Sequence, residues 1–185
     1  MQRLVLILLL CLSGCQSLPE NQLIYQRDGG RYALHTQWKG PAQQLLQQVT
    51  FTGAGQQQEF LLSVQLDTQQ MLLVGLSPLG HELWRITLTP DGELVSTGIQ
   101  PFADRRFALQ LVAQMQWSLL PLQDVQAHLS ALTMKELPQQ RQLIDASGAI
   151  VLTIDGPGEL AVGKTIRVRD SNFELNIVTL ERDQL

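Results

Sequence analysis

Between residues 24 and 97 the apolar positions recur every second residue. Phe60, Leu62, Val64 and Leu66 alternate with Leu61, Ser63, Gln65 and Asp67, and Trp84, Ile86 and Leu88 alternate with Arg85, Thr87 and Thr89. A period of two places one apolar and one mostly polar face on a strand. Tyr32 to Trp38, Leu45 to Thr52 and Met71 to Leu76 read as further strands. The breaks are turn formers: Asp28-Gly29-Gly30, Gly53-Ala54-Gly55, Ser77-Pro78-Leu79-Gly80 and Thr89-Pro90-Asp91-Gly92. Loops this short join antiparallel neighbours.

The period changes after Pro101. Asp104 can cap a helix with its side chain, and Phe107, Leu111, Met115 and Leu119 follow at a spacing of four, with Ala108 and Val112 beside them. That is an amphipathic helix. A second, shorter helix is expected from Pro121, carrying Leu122, Val125, Leu129 and Leu132 on one side. Strand character returns at Leu137 to Ile144, Ala149 to Ile154, Thr165 to Arg169 and Asn172 to Glu181. Strands, two helices, then strands is not a βαβ alternation, so a parallel sheet is not expected. The expected fold is mainly β (α+β): a strongly bent antiparallel sheet, or incomplete barrel, closed by two helices.

The first residues carry a different signal. Arg3 precedes an unbroken apolar run, Leu4 to Leu12, and Leu12-Ser13-Gly14-Cys15 ends it. The run is far shorter than the roughly 20 residues of a membrane span and has the dimensions of a signal-peptide core. Its end resembles the lipobox of bacterial lipoproteins. Residues 1–14 are therefore expected to be a signal peptide, residues 15–21 a lipidated cysteine with a tether, and residues 22–185 a single domain. Each buried acyl CH₂ contributes about 0.8 kcal/mol, so several acyl chains on Cys15, palmitate among them, make a lasting anchor. Gln16, which is not aspartate, argues for the periplasmic face of the outer membrane under the enterobacterial sorting rule. With Cys11 removed and Cys15 acylated, the domain has no cysteine left for a disulfide, a thiol nucleophile or a thiolate metal site.

Composition narrows the chemistry. Thirteen Lys and Arg face 17 Asp and Glu, a net charge of −4, and Arg105-Arg106 is only a doublet. A nucleic-acid surface needs clustered cations, so none is expected. His35, His81 and His128 lack the short paired spacing of a zinc site, and no metal or other cofactor is expected. Ser77 lies outside any Gly-x-Ser-x-Gly elbow, and nothing selects a pair of carboxylates, so no catalytic residue is assigned and the chain is not read as an enzyme.

Gly158 to Thr165, GELAVGKT, matches the spacing of a phosphate-binding P-loop. Such a loop works where a strand ends and a helix begins, so that helix amides surround the phosphates. Here the β-branched alternation Thr165-Ile166-Arg167-Val168-Arg169 follows, and about twenty residues remain. The expected element is half a hairpin, and Gly156, Gly158 and Gly163 are turn residues. A nucleotide is not expected.

Leu79 stands at the tip of a Pro-Gly turn, where polar residues are usual. It either folds back on the sheet or forms an apolar finger that touches a membrane or an acyl chain. The run Leu76-Ser77-Pro78-Leu79-Gly80, followed by Glu82-Leu83, resembles the loop of the outer-membrane lipoprotein receptor family LolB, whose turn between two strands projects a leucine toward the membrane. The order of elements, the lipobox and the final hairpin from Thr165 to Leu180 extend the likeness. The whole chain also resembles a family of proteobacterial outer-membrane lipoproteins. Their genes are often found in aryl-polyene clusters, near LolA-like carriers. The chain is shorter between its strands and poorer in aromatic residues than LolB, which favours a specialised relative.

The resemblance implies a LolA/LolB-like architecture, with Pro78, Leu79 and Gly80 as a membrane or cargo-contact loop. It also implies an apolar cavity that takes an acyl chain, with a lipoprotein or aryl-polyene lipid as cargo and a periplasmic LolA-like carrier as a partner. Candidate lining residues are Phe51, Phe60, Leu62, Val64, Leu73, Trp84, Ile86, Phe107, Leu111, Met115 and Trp117. The same residues could instead fill a solid core. Two other readings stay open: an accessory lipoprotein that holds partner proteins at its surface, and an enzyme acting on a lipid or glycan.

Overall fold

The computed structural model describes residues 23–158 and 160–185. The expected signal peptide, Cys15 and the tether lie outside the described residues. In chain order the elements begin with β1 (Ile24–Arg27), β2 (Gly30–Ala33), β3 (Gln43–Gly53), β4 (Gln56–Leu66), β5 (Met71–Leu76), β6 (Glu82–Leu88) and β7 (Leu94–Gly98). Helices α1 (Arg105–Leu119) and α2 (Leu122–Ala127) follow. The chain ends with β8 (Leu129–Ser130), β9 (Leu132–Leu137), β10 (Gln140–Asp145), β11 (Ile150–Asp155), β12 (Thr165–Arg169) and β13 (Phe173–Gln184).

Ten strands form one sheet in the order β7-β6-β5-β4-β3-β13-β12-β11-β10-β9, and β1-β2-β8 form a small second sheet. Every strand pair is antiparallel. The large sheet is two meanders joined at a seam. The last strand, β13, runs beside β3 from Phe173↔Gly53 to Gln184↔Gln43, with a register shift between Thr179 and Glu181. The sheet does not close on itself: β7 and β9 are its two edges. The large antiparallel sheet agrees with the expected bent sheet or incomplete barrel in being open.

Alternation decides which face is covered. Leu45 and Val49 of β3, Leu62, Val64 and Leu66 of β4, and Trp84, Ile86 and Leu88 of β6 are all buried, and cross-strand pairing puts them on one side. Gly75 makes room for Trp84 there, since a Cβ at Gly75 would come within 2.1 Å of the indole. Phe60, Phe102 and Phe107 surround that indole at centroid distances of 6.2, 6.4 and 5.4 Å.

Two stretches depart from the expected elements. The strand expected from Tyr32 to Trp38 stops at Ala33. Beyond it the backbone N–H of Leu34 donates to the Leu23 carbonyl and that of His35 to the Gln116 side chain, so these groups leave the ladder for other partners. The second helix ends at Ala127. Leu129 pairs with Tyr32 and Leu132 with Asp145, both as strand residues. Their three-residue spacing imitates a helix face. A positive φ of 58° at Ala131 separates two strands instead.

Candidate functional site: an apolar slot under helix α1

Helix α1 lies between the two sheets. Asp104 starts it, its Oδ1 accepting from the Arg106 N–H at 2.6 Å. Pro121 stops it after Leu120, whose N–H still donates to the Gln116 carbonyl. At its first turn the Arg105 guanidinium donates to the Leu94 carbonyl of β7. At its last turn the buried Arg141 of β10 donates from Nη1 to the carbonyls of Trp117 and Leu120, both at 2.7 Å. These carbonyls have no partner within the helix, and a cation is favourable at that end. The Gly158 N–H donates to the Ser118 carbonyl at 2.7 Å.

Between those two attachments, a cavity with about 50 Å³ of free space separates α1 from the large sheet. The sheet contributes Leu45, Gln47, Leu62, Val64, Leu73, Ile166, Val168, Leu175 and Ile177. The helix contributes Leu111, Gln114, Met115, Ser118 and Leu119, which recur at helical spacing on one face. Three or four waters need about this volume, and a typical ligand pocket has several hundred Å³. The cavity is thus a narrow apolar slot. Leu111, Met115, Leu119 and Ile177, only half-buried, form its more exposed margin.

Five of the eleven expected lining residues meet at this slot: Leu62, Val64, Leu73, Leu111 and Met115. The other six do not line it. Trp84 and Ile86 are fully buried in the packed core. Trp117 points to the opposite side of α1, against Tyr25 and Tyr32 at 5.7 and 5.4 Å. Phe51, Phe60 and Phe107 are half-buried and pack against the core, Phe51 stacking on Phe173. Sequence reasoning missed the β12 and β13 contribution, because the β3–β13 seam joins residues far apart in the chain. It also missed Gln47, Gln114 and Ser118. Gln114 was findable, since it sits three residues after Leu111 and beside Met115 on a helical wheel.

These polar groups differ in how they are satisfied. The Ser118 hydroxyl donates to the Gln114 main-chain carbonyl at 2.7 Å. Gln47 Nε2 donates to Thr179 Oγ1 at 3.2 Å. Gln114 is 3% exposed, and its Nε2 has no hydrogen-bond partner among the described residues.

Leu79 is 85% exposed. The hairpin that carries it is held by Gly80 N–H to Ser77 carbonyl and Ser77 N–H to His81 carbonyl bonds, both 2.8 Å. Gly80 has φ +82°, a conformation costly for residues with a side chain. Pro78, Leu79 and Gly80 thus form a rigid tip with an outward leucine, not one folded back on the sheet. The Gly158 to Thr165 segment ends in strand β12. Gly156, Gly158 and Gly163 all have positive φ, so the helix that a phosphate cradle requires is replaced by a strand.

His35 and His128, distant in sequence, stack with centroids 3.7 Å apart. His35 Nε2 contacts the Asp124 carbonyl and His128 Nδ1 the Ala33 carbonyl. Burial, only partly offset by the Asp124 carbonyl, pushes the His35 pKa down. Among the described residues no group of three or more His, Cys, Asp or Glu could hold a metal ion.

The family described as "Protein of unknown function (DUF3261)" matches residues 44–181, which run from β3 through the slot-lining helix to β13. The chain belongs to the DUF3261 family. No curated protein matches this DUF3261 chain in sequence. Among solved structures it is similar to a LolA superfamily protein from Nitrosomonas europaea, with 9% identity, a TM-score of 0.45, and coverage of 82% of this chain and 89% of that one. It is also similar to a DUF1329 family protein from Desulfovibrio piger, with 8% identity, a TM-score of 0.45, and coverage of 79% and 86%. A putative outer membrane lipoprotein-sorting protein domain from Vibrio parahaemolyticus gives 9% identity, a TM-score of 0.43, and coverage of 79% and 86%.

Proposed function

We propose that this chain is a lipid-anchored envelope protein that binds an acyl chain between α1 and the large sheet and helps to pass lipidic cargo to the outer membrane. The slot carries the reading. Its wall is mostly aliphatic, no charged side chain among the described residues lines it, and its margin is half exposed. An acyl chain gains about 0.8 kcal/mol for each CH₂ it buries. The slot must widen to admit one. Polar bonds hold α1 at its two ends, whereas over the slot it rests on Leu111, Met115 and Leu119. Leucine and the flexible thioether of methionine can change rotamer without breaking a hydrogen bond.

Leu79 is the second element of the reading. A rigid hairpin tip that spends a leucine on solvent suits insertion into a bilayer or contact with cargo. The lipid on Cys15 would keep that tip near the outer membrane, and a periplasmic carrier of the LolA type would supply the cargo. No bond needs to be made or broken.

The test uses the chain from residue 16 onward, titrated with a fluorescent fatty-acyl probe. Saturable micromolar binding is expected. Leu79→Glu is expected to keep that binding and lose transfer of the probe to liposomes. In cells, Cys15→Ser is expected to move the protein out of the membrane fraction. A cooperatively folded chain that binds no probe would instead have a filled core. That outcome would support the other reading, an accessory lipoprotein acting through its surface.

A further inference from the structure

The slot has one polar feature that its apolar character does not explain. Gln114 projects from the middle of α1 onto the slot wall, is 3% exposed, and leaves its side-chain nitrogen without a hydrogen-bond partner among the described residues. A buried donor that bonds to nothing is rare and unfavourable. The polar neighbours on the wall do not relieve it: Ser118 gives its hydroxyl proton to the Gln114 main-chain carbonyl, and Gln47 donates to Thr179. An apolar side chain at this position would pack against the same wall without the unmet donor.

We propose that the Gln114 amide is the polar end of this site and donates to the carbonyl oxygen of an uncharged acyl ester or acyl amide. The inference rests on the acyl-binding reading above and names the ligand class of that same site. Two observations select the class. The unpartnered atom is a donor, so the ligand group that meets it must be an acceptor, which a hydrocarbon end lacks. And among the described residues no lysine, arginine or histidine lines the slot, so an ionised carboxylate would be buried without a counter-charge, at a large cost. An ester or amide carbonyl offers an acceptor without a charge. The chain of a free fatty acid therefore fits the slot while its head group does not. A chain already joined to glycerol, to an amine or to another alcohol fits in both respects.

The full chain, transferred from detergent into amphipol, would be loaded with the apolar dye 1-N-phenylnaphthylamine. Three competitors would then displace it: methyl palmitate, hexadecane, and palmitate at pH 9, where the acid is ionised. Methyl palmitate is expected to compete about tenfold better than hexadecane, the worth of one hydrogen bond to an otherwise unmet donor, and better than palmitate, whose charge would be buried unpaired. Gln114→Leu is expected to remove the preference over hexadecane by weakening the ester alone, with hexadecane unchanged. Equal competition by ester and alkane in the unaltered chain would overturn the proposal while leaving the acyl-binding reading intact. So would a preference over hexadecane that survives Gln114→Leu. Failure of every competitor and of the dye to bind would remove the acyl-binding reading, and this proposal with it. Because Gln114→Leu deletes an unmet donor, the variant is expected to fold, and a thermal melt checks that it has.

Discussion

Helix α1 carries two buried glutamines two residues apart, on opposite faces, in opposite circumstances. Gln116 looks toward Tyr32 of the small sheet and the segment that follows it. Its Oε1 accepts from the Tyr32 hydroxyl and from the His35 N–H, both at 3.0 Å. Its Nε2 donates to the His35 carbonyl at 2.7 Å and reaches the Met71 sulfur. Gln114 looks toward the large sheet, where its Nε2 has no hydrogen-bond partner among the described residues. The same contrast extends along the helix. The small-sheet side holds Trp117 against Tyr25 and Tyr32, and the burial of Tyr32 raises its pKa. The large-sheet side holds Leu111, Met115 and Leu119 around free space. One face of α1 is bolted down and the other is loosely filled. A helix mounted this way can open a slot without unfolding, because the hydrogen bonds that hold it are elsewhere.

The satisfaction of the bolted face is incomplete in one respect. The Trp117 indole nitrogen also lacks a hydrogen-bond partner. It lies beside the two tyrosine rings, so its loss of a partner is set in tight aromatic packing and not in open space.

The contrast makes predictions of graded size. Trp117→Ala should cost the most, about 4 kcal/mol, because a fully buried aromatic leaves a cavity that its neighbours cannot refill. Urea unfolding would measure it, and a loss below about 1 kcal/mol would show that the small-sheet side is not the anchor. Gln116→Leu should destabilise by about 3 kcal/mol, since it strands the Tyr32 hydroxyl and two main-chain groups of His35. Gln114→Leu should have the opposite sign and stabilise the unliganded chain by about 1 kcal/mol. Equal signs for the two glutamines would break the comparison.

Met115→Ala probes the loose face directly. It should cost about 1 to 2 kcal/mol, at or below the low end for a buried methionine, because the side chain is half exposed. The widened slot should bind an apolar dye more tightly.

The smallest effect is a pH dependence on the bolted side. His35 is held below its ordinary pKa chiefly by burial, with the facing His128 and Lys39 adding to the shift and Asp124 opposing it. The unfolded chain therefore takes up the proton first. The contribution of His35 to stability is whole above about pH 6.5 and is lost as the pH falls through that value toward the folded pKa. Melting temperature should fall between pH 7 and pH 5, and His35→Phe should flatten that slope.

Much of the fold was legible where local rules decide it. The alternation of Phe60 to Leu66 and Trp84 to Leu88 gave strands β4 and β6, the spacing of Phe107 to Leu119 with its Asp104 cap gave α1, and Thr165 to Arg169 gave a strand in place of a P-loop helix. The site was half legible. The inward residues of β4 and β5 and two residues of α1 followed from periodicity. Periodicity does not separate slot from packed core for Trp84 and Trp117, both expected in the lining. Their actual places depend on Gly75 making room for one indole and on the small sheet receiving the other.

By itself, then, the sequence determined which segments alternate, which one is helical, and where glycine and proline force a turn, because those choices rest on neighbours within a few residues. It also set an apolar residue at the Pro78-Leu79-Gly80 tip. Tertiary structure alone decided that β13 would run beside β3, bringing Ile166, Val168, Leu175 and Ile177 to the slot. It decided that His35 would stack on His128. And it decided which of two glutamines on one helix found partners. Each of these depends on what lies across a gap in space, and pairing over more than a hundred residues of intervening chain leaves no periodic trace in the sequence.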